Sequence, residues 1–165
     1  MILDLTSLYR FFNGVIHVGG HHGQECHSYI AHDIKNICVF EPVPSHFEIM
    51  KNQIKDPRVR MFDVALGSKR ETTEINISDF EGDLTPDGQD ANLYRGMSSS
   101  ILKPKTHLDQ MPHITFSDKT VPVEVYSLDD FSLDNNIEPL DYDFMNIDVQ
   151  GYELEVLKGS IRFLP

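Results

Sequence analysis

Short apolar runs that stop at glycine or proline and give way to helical stretches constrain this chain more than any other feature. Val15-Ile16-His17-Val18 ends at Gly19-Gly20 and reads as a buried strand entering a tight turn. From about His22 to His32 the pattern is helical, with Tyr29 and Ile30 among its apolar positions. Ile37-Cys38-Val39-Phe40 is a second strand, ended by Glu41-Pro42. Pro44 to Ile54 reads as a second helix, because Phe47, Met50 and Ile54 recur at spacings of three and four and Pro44-Ser45 suits its start. Val59 to Leu66 is predicted as a third strand, stopped by Gly67-Ser68. Phe144 to Asp148 is a later buried strand, followed by Gly151 and a helix around Glu153 to Lys158. Strands alternating with helices of this length predict βαβ units and an α/β fold with a mostly parallel sheet.

The middle of the chain reads differently. Thr72 to Ile77 and the alternating stretch Val121 to Tyr126 are predicted strands. Between them, Asp79 to Thr120 is polar and rich in Gly, Pro, Ser and Asp, and an irregular segment of that length reads as a lid or acceptor loop. The 165 residues suit one domain over 1-165. Doubly wound sheets continue beyond a helix such as the one near Glu153, whereas this chain stops at Pro165. The C-terminal strands are therefore expected to be missing, in a fragment or in a chain that depends on partner surface. An exposed sheet edge could pair with another chain, which leaves an oligomer open.

Composition narrows the classes of function. With 40% hydrophobic and 24% charged residues the chain suits a soluble globular protein. Its 26 acids outnumber 14 bases for a net charge of −12, and no Lys/Arg cluster is present, so neither DNA nor RNA is an expected partner. The longest apolar runs are too short to span a bilayer, and Asp4 stands where a signal peptide would carry bases. A cytoplasmic location without membrane association is expected. Cys26 and Cys38 read as reduced core thiols.

Two segments carry the chemistry. Gly19-Gly20-His21-His22-Gly23 lies between the first strand and the first helix, where glycine permits positive φ and close backbone approach to a ligand. The helix start offers free N–H groups to a carboxylate. Glu41 ends the second strand, where an acid can accept hydrogen bonds from both hydroxyls of a ribose. A dinucleotide fingerprint would need G-x-G-x-x-G, but only Gly20 and Gly23 are present and Val18 occupies the first glycine's place. A nicotinamide-dependent dehydrogenase is thereby disfavoured. The bland alternative is a plain strand-to-helix turn followed by a surface glutamate. The second segment runs from Phe144 to Gly159. Asp148 stands at the carboxyl end of its strand, where open α/β sheets bind ligands, and Glu153 begins the next helix; a helix-capping role for Asp148 is the alternative.

Taken in order, these pieces resemble the FkbM family of S-adenosylmethionine (SAM)-dependent methyltransferases. The resemblance rests on Val15 to Gln24, Phe40-Glu41-Pro42, Val64-Ala65-Leu66-Gly67, Ser98-Ser99-Ser100, Ser127-Leu128-Asp129-Asp130, Ile147 to Glu153 and Val156-Leu157-Lys158-Gly159. It covers nearly all of residues 14 to 160. It implies a Rossmann-like class I methyltransferase fold and SAM as cofactor. It further implies that Gly19, Gly20 and Gly23 border the cofactor, that Glu41 holds its ribose, and that Asp63 to Leu66, Ala65 included, lie near the adenine. Asp148 would face the methyl-transfer site, and the acceptor would be a hydroxyl on a small molecule or glycan. The chain departs from the family at His17, where many members carry an acid, at His21, where many carry asparagine, and at Gln150 in place of a common glutamate.

For a hydroxyl acceptor, a general base can remove the proton as the new bond forms. Asp148 is the first candidate, with Glu153, His107 and His113 as rivals. Of eight histidines, five lie between His17 and His32. His21, His22 and Cys26 are conceivable zinc ligands, but two of them are adjacent in a turn and no compact Cys/His pattern appears, so core or turn histidines are the preferred reading and no metal is assigned. Asp148 with Asp129 or Asp130 keeps magnesium chemistry open. The competing function from another class is a truncated, non-catalytic domain that binds SAM or another nucleoside.

Overall fold

The computed structural model describes residues 5–80, 96, 99–102 and 114–164. Among the described residues there are seven strands: β1 (Gly14–Val18), β2 (Asn36–Phe40), β3 (Val59–Phe62), β4 (Ala65–Leu66), β5 (Glu71–Phe80), β6 (Ile114–Tyr126) and β7 (Phe144–Ile147). The helices of the described residues are α1 (Gln24–Ala31), α2 (Pro44–Gln53), α3 (Leu128–Asp134) and α4 (Glu153–Lys158), with 3-10 turns at Leu5–Phe11 and Pro139–Asp141. Four strands form an all-parallel sheet in the order β3-β2-β1-β7, and a second sheet has the order β4-β6-β5. The expected α/β architecture with a parallel sheet is present. Among the described residues no helix is long and apolar enough to cross a membrane.

The unbroken apolar runs follow from having both faces of the parallel sheet covered. Side chains alternate across a strand. Val15, Ile37 and Val39 therefore point to one face, where they pack with Cys26 and Tyr29 of α1 and Met50 of α2. Ile16, Val18, Cys38 and Phe40 point to the other, against Leu128 and Phe131 of α3 and Val156 of α4. A third cluster, with Val43, Ala65, Ile75, Val123 and Val125, joins the second sheet to the start of α2.

Two expectations are corrected. The strand predicted over Val59 to Leu66 is broken at Asp63-Val64, because β3 pairs with β2 while β4 leaves that sheet to pair with β6. Phe62 and Ala65 pack in different clusters, which the local sequence cannot express. The span Asp79 to Thr120 is not irregular throughout. β5 runs to Phe80 and β6 starts at Ile114, joined in an antiparallel ladder with an irregularity between Asn76 and Ser78. Residues 81–95, 97–98 and 103–113, with His107 and His113 among them, lie outside the described residues. Helix α3 was also unforeseen. It starts on a reciprocal cap in which Ser127 Oγ accepts from the Asp130 amide at 3.2 Å and donates to Asp130 Oδ2 at 2.7 Å.

Candidate functional site

The carboxyl ends of the parallel strands meet at a cleft. This is where open α/β sheets take their ligands. Gly19 follows β1, Glu41 follows β2 and Asp148 follows β7, and all three line the cleft together with Ala65. The backbone draws these ends together. The amides of Gly19 and Gly20 both donate to the Phe40 carbonyl, at 2.9 and 3.0 Å, and the Asp148 amide donates to the Val18 carbonyl at 2.8 Å. Gly19 has φ +90°, and a Cβ there would lie 1.9 Å from the Asp148 carbonyl oxygen. Only glycine meets both demands.

Glu41 is 5% exposed. Its Oε2 accepts from the His21 amide and its Oε1 from the Val43 amide, both at 2.8 Å. A carboxylate has about four lone-pair sites, so each oxygen can accept a further hydrogen bond from a ligand in the cleft. Gly20 and Gly23 stand outside the lining, Gly20 against Val39 and Gly23 against Met50 of α2. Asp63 is exposed in the turn between β3 and β4, also outside the lining.

Asp148 is exposed at the rim, with Oδ1 accepting from Gln150 Nε2 at 2.6 Å. Glu153 accepts from the Gly151 amide at 2.9 Å, holds the turn before α4 and does not line the cleft. Asp129 and Asp130 do not join Asp148. Both oxygens of Asp129 accept from the Arg162 amide, and Asp130 accepts from the Arg162 guanidinium. Hydrogen bonds from Ser127 first and then from Arg162 hold the Asp130 carboxyl below the usual range.

The lining also includes residues to which the sequence reading gave no role in the site. Ser99, Ser100 and Ile101 cover the cleft from the side of the second sheet. Ser99 Oγ accepts from the Ser78 amide at 3.0 Å, and Ser100 Oγ donates to the Gln150 carbonyl at 2.9 Å, tying this segment to the turn after β7. Tyr152 is a further lining residue whose phenol is pushed up, chiefly by burial and then by the charges of Glu71 and Glu155. It therefore stays protonated at neutral pH and can donate. Gln24 and Glu25, in the first turn of α1, bring an amide and a carboxylate to the same space. Their place at the helix start was legible, but nothing local showed which way they face.

Four of the described histidines, in two groups, stand near the cleft. His17 is buried within β1, with Nδ1 at 3.2 Å from the Tyr29 hydroxyl, which in turn accepts from Asn146 Nδ2 at 3.0 Å. Burial lowers its pKa from 6.5 against the opposing charges of Glu25 and Asp148. His21, His22 and His46 gather beside Glu41, with one ring nitrogen from each within 4.8 Å of the others. Burial, then the neighbouring His21 and His46, push His22 down to about 4. Cys26, considered with His21 and His22 as a ligand, is instead fully buried in the core under α1, with its thiol pushed up to about 12 by burial. The third member is His46, whose distance in sequence hid it.

A family model described as the methyltransferase FkbM domain matches residues 17–165. Comparison with curated proteins returned no match. Among solved structures, the chain is similar to the crystal structure of methyltransferase FkbM from Methylobacillus flagellatus KT, with a TM-score of 0.49 and 14% identity over 92% of this chain. The match spans 29% of that protein's length. With most of its residues, from His17 onward, matched by one family model, the chain belongs to the FkbM methyltransferase family.

Proposed function

We propose that this chain is a SAM-dependent methyltransferase domain that acts in the cytoplasm on a hydroxyl of a small molecule or glycan. The observation that carries the proposal is the Gly19 bend and the buried Glu41 carboxylate, side by side at the ends of β1 and β2 in one cleft. The chain's residues suit SAM. Glu41 offers its remaining lone pairs to ribose hydroxyls, the Gly19 bend presents bare backbone to the cleft, and Ala65 and Leu66 offer an apolar surface to an adenine. Glu25 brings negative charge to a space that would receive an ammonium and a sulfonium. When bound, SAM supplies an activated methyl group for in-line displacement.

The remaining work is alignment and proton removal. Asp148 is the proposed general base, since it stands on the rim and Gln150 Nε2 engages one of its oxygens. Tyr152, kept protonated, can donate a hydrogen bond that orients the acceptor. The net charge of −12 accords with an acceptor other than nucleic acid. The experiment is calorimetric titration with SAM and with NAD, together with mass spectrometry of the purified protein for retained SAM or its demethylated product. SAM binding without NAD binding is expected; binding of neither would leave the family fold without its cofactor and end the proposal. Asp148→Asn is expected to lower turnover by about 10²–10⁴-fold with SAM affinity retained. Unchanged turnover would remove Asp148 as the base.

A further inference from the structure

Beside the cleft, three imidazoles from two separate elements converge. His21 and His22 belong to the turn after β1, and His46 lies in the first turn of α2. The His21 and His22 rings stack with centroids 3.7 Å apart, and the His46 ring meets them edge-on at 4.4 and 5.2 Å. His22 Nε2 is buried with no hydrogen-bond partner among the described residues. Leaving a buried polar atom without a partner is costly, and turns that merely pack do not require one. Around the cluster stand the polar neighbours that orient ligating imidazoles: Gln24 Nε2 at 3.2 Å from His21 Nδ1, and Glu41 Oε1 at 3.8 Å from His46 Nδ1. Gly96, with φ +81°, lies so close over the His46 ring that a Cβ there would come within 2.2 Å of Cε1. The ring is thus held in place from above.

We propose that His21, His22 and His46 form a binding site for one divalent first-row transition metal ion, Zn2+ foremost, that clamps the turn after β1 to the start of α2. Imidazole nitrogen suits zinc, and three such ligands leave one position for water. In tetrahedral geometry with Zn–N near 2.0–2.1 Å the ligand nitrogens stand roughly 3.3 Å apart. The rings must therefore draw in from the 4.8 Å limit that now bounds them, which half-buried His22 can do by side-chain rotation. The ion would sit next to Glu41, because the His21 amide already holds that carboxylate. The site does not depend on the methyl-transfer reading.

The test uses the full, tag-free chain stripped with EDTA. Equilibrium dialysis against Zn2+ is expected to give one ion per chain, and Co2+ in its place the visible d–d bands of an imidazole-bound ion. His46→Gln and, separately, His22→Gln are each expected to weaken Zn2+ binding at least about tenfold, since even outer-shell losses cost 10–100-fold. His27→Gln, at an exposed histidine of α1, is expected to bind as the parent does. Circular dichroism checks each variant's fold, and His22→Gln, on the turn, decides the matter should His46→Gln not fold. Absence of stoichiometric binding overturns the proposal, as does binding that both cluster variants retain or that His27→Gln abolishes.

Discussion

At Glu41 a carboxylate that is almost wholly buried rests on two backbone amides, one from His21 and one from Val43. Burying such a group is costly unless it is hydrogen-bonded, and here each oxygen has its own donor. In Glu41→Gln one oxygen becomes an NH2 group facing an amide N–H, so a bond is lost and two donors oppose each other. Urea unfolding is expected to show a loss of about 1–3 kcal/mol, and calorimetry at least a roughly tenfold weaker SAM affinity. Gly19→Ala meets a different obstacle, a backbone carbonyl at 1.9 Å on top of a positive φ. A cost of at least about 1–3 kcal/mol is expected from the dihedral alone, seen as a lowered urea midpoint. Gly19 and Glu41 were legible because a glycine bend and a strand-ending acid have local signatures. His46, Ser99 and Tyr152 were not, because each reaches the site through the pairing of elements distant in sequence.

Among the elements, β1 is flanked by β2 and β7 in the parallel sheet, and His17 links it to α1 and β7 through Tyr29 and Asn146. Burial keeps this imidazole's pKa below 6.5 in the folded protein. Above pH 6.5 the ring is neutral folded or unfolded, and its full contribution to stability is present. As the pH falls below 6.5, the unfolded chain takes up a proton that the folded chain resists, and stability declines. The urea midpoint of the parent is therefore expected to fall toward that of His17→Gln between pH 8 and pH 5; parallel curves would contradict this. Helix α3 depends on its cap, and Ser127→Ala is expected to cost about 0.5–2 kcal/mol in the same assay. The strands β1, β2 and β7 and the helices α1, α2 and α4 were readable from apolar runs and spacing alone. The ribbon of β5 and β6 was only half readable. Its outer parts carry polar residues that satisfy a ladder without the alternation that announces one, and α3 was not read because its start rests on the reciprocal bonds of Ser127 with Asp130.

For the molecule as a whole, the parallel sheet separates two cores, each holding one cysteine. Cys26 lies under α1 and α2, and Cys38 lies on the opposite face with Sγ 3.1 Å from the Tyr142 hydroxyl. Burial raises both thiols, so neither reacts readily while folded. If both cores open together, the two cysteines should label with a thiol reagent at one common rate that rises with urea. Distinct rates would reveal two separately opening units. The close approach of Gly19 to the Asp148 carbonyl has a broader consequence. Main chain sets the spacing between the ends of β1 and β7, so no side-chain exchange there can lengthen or shorten it. Under the proposed function, a new preference for the acceptor would have to come from another part of the lining, around Ser99 to Ile101, where substitutions can accumulate while the interval between the two strand ends keeps its span.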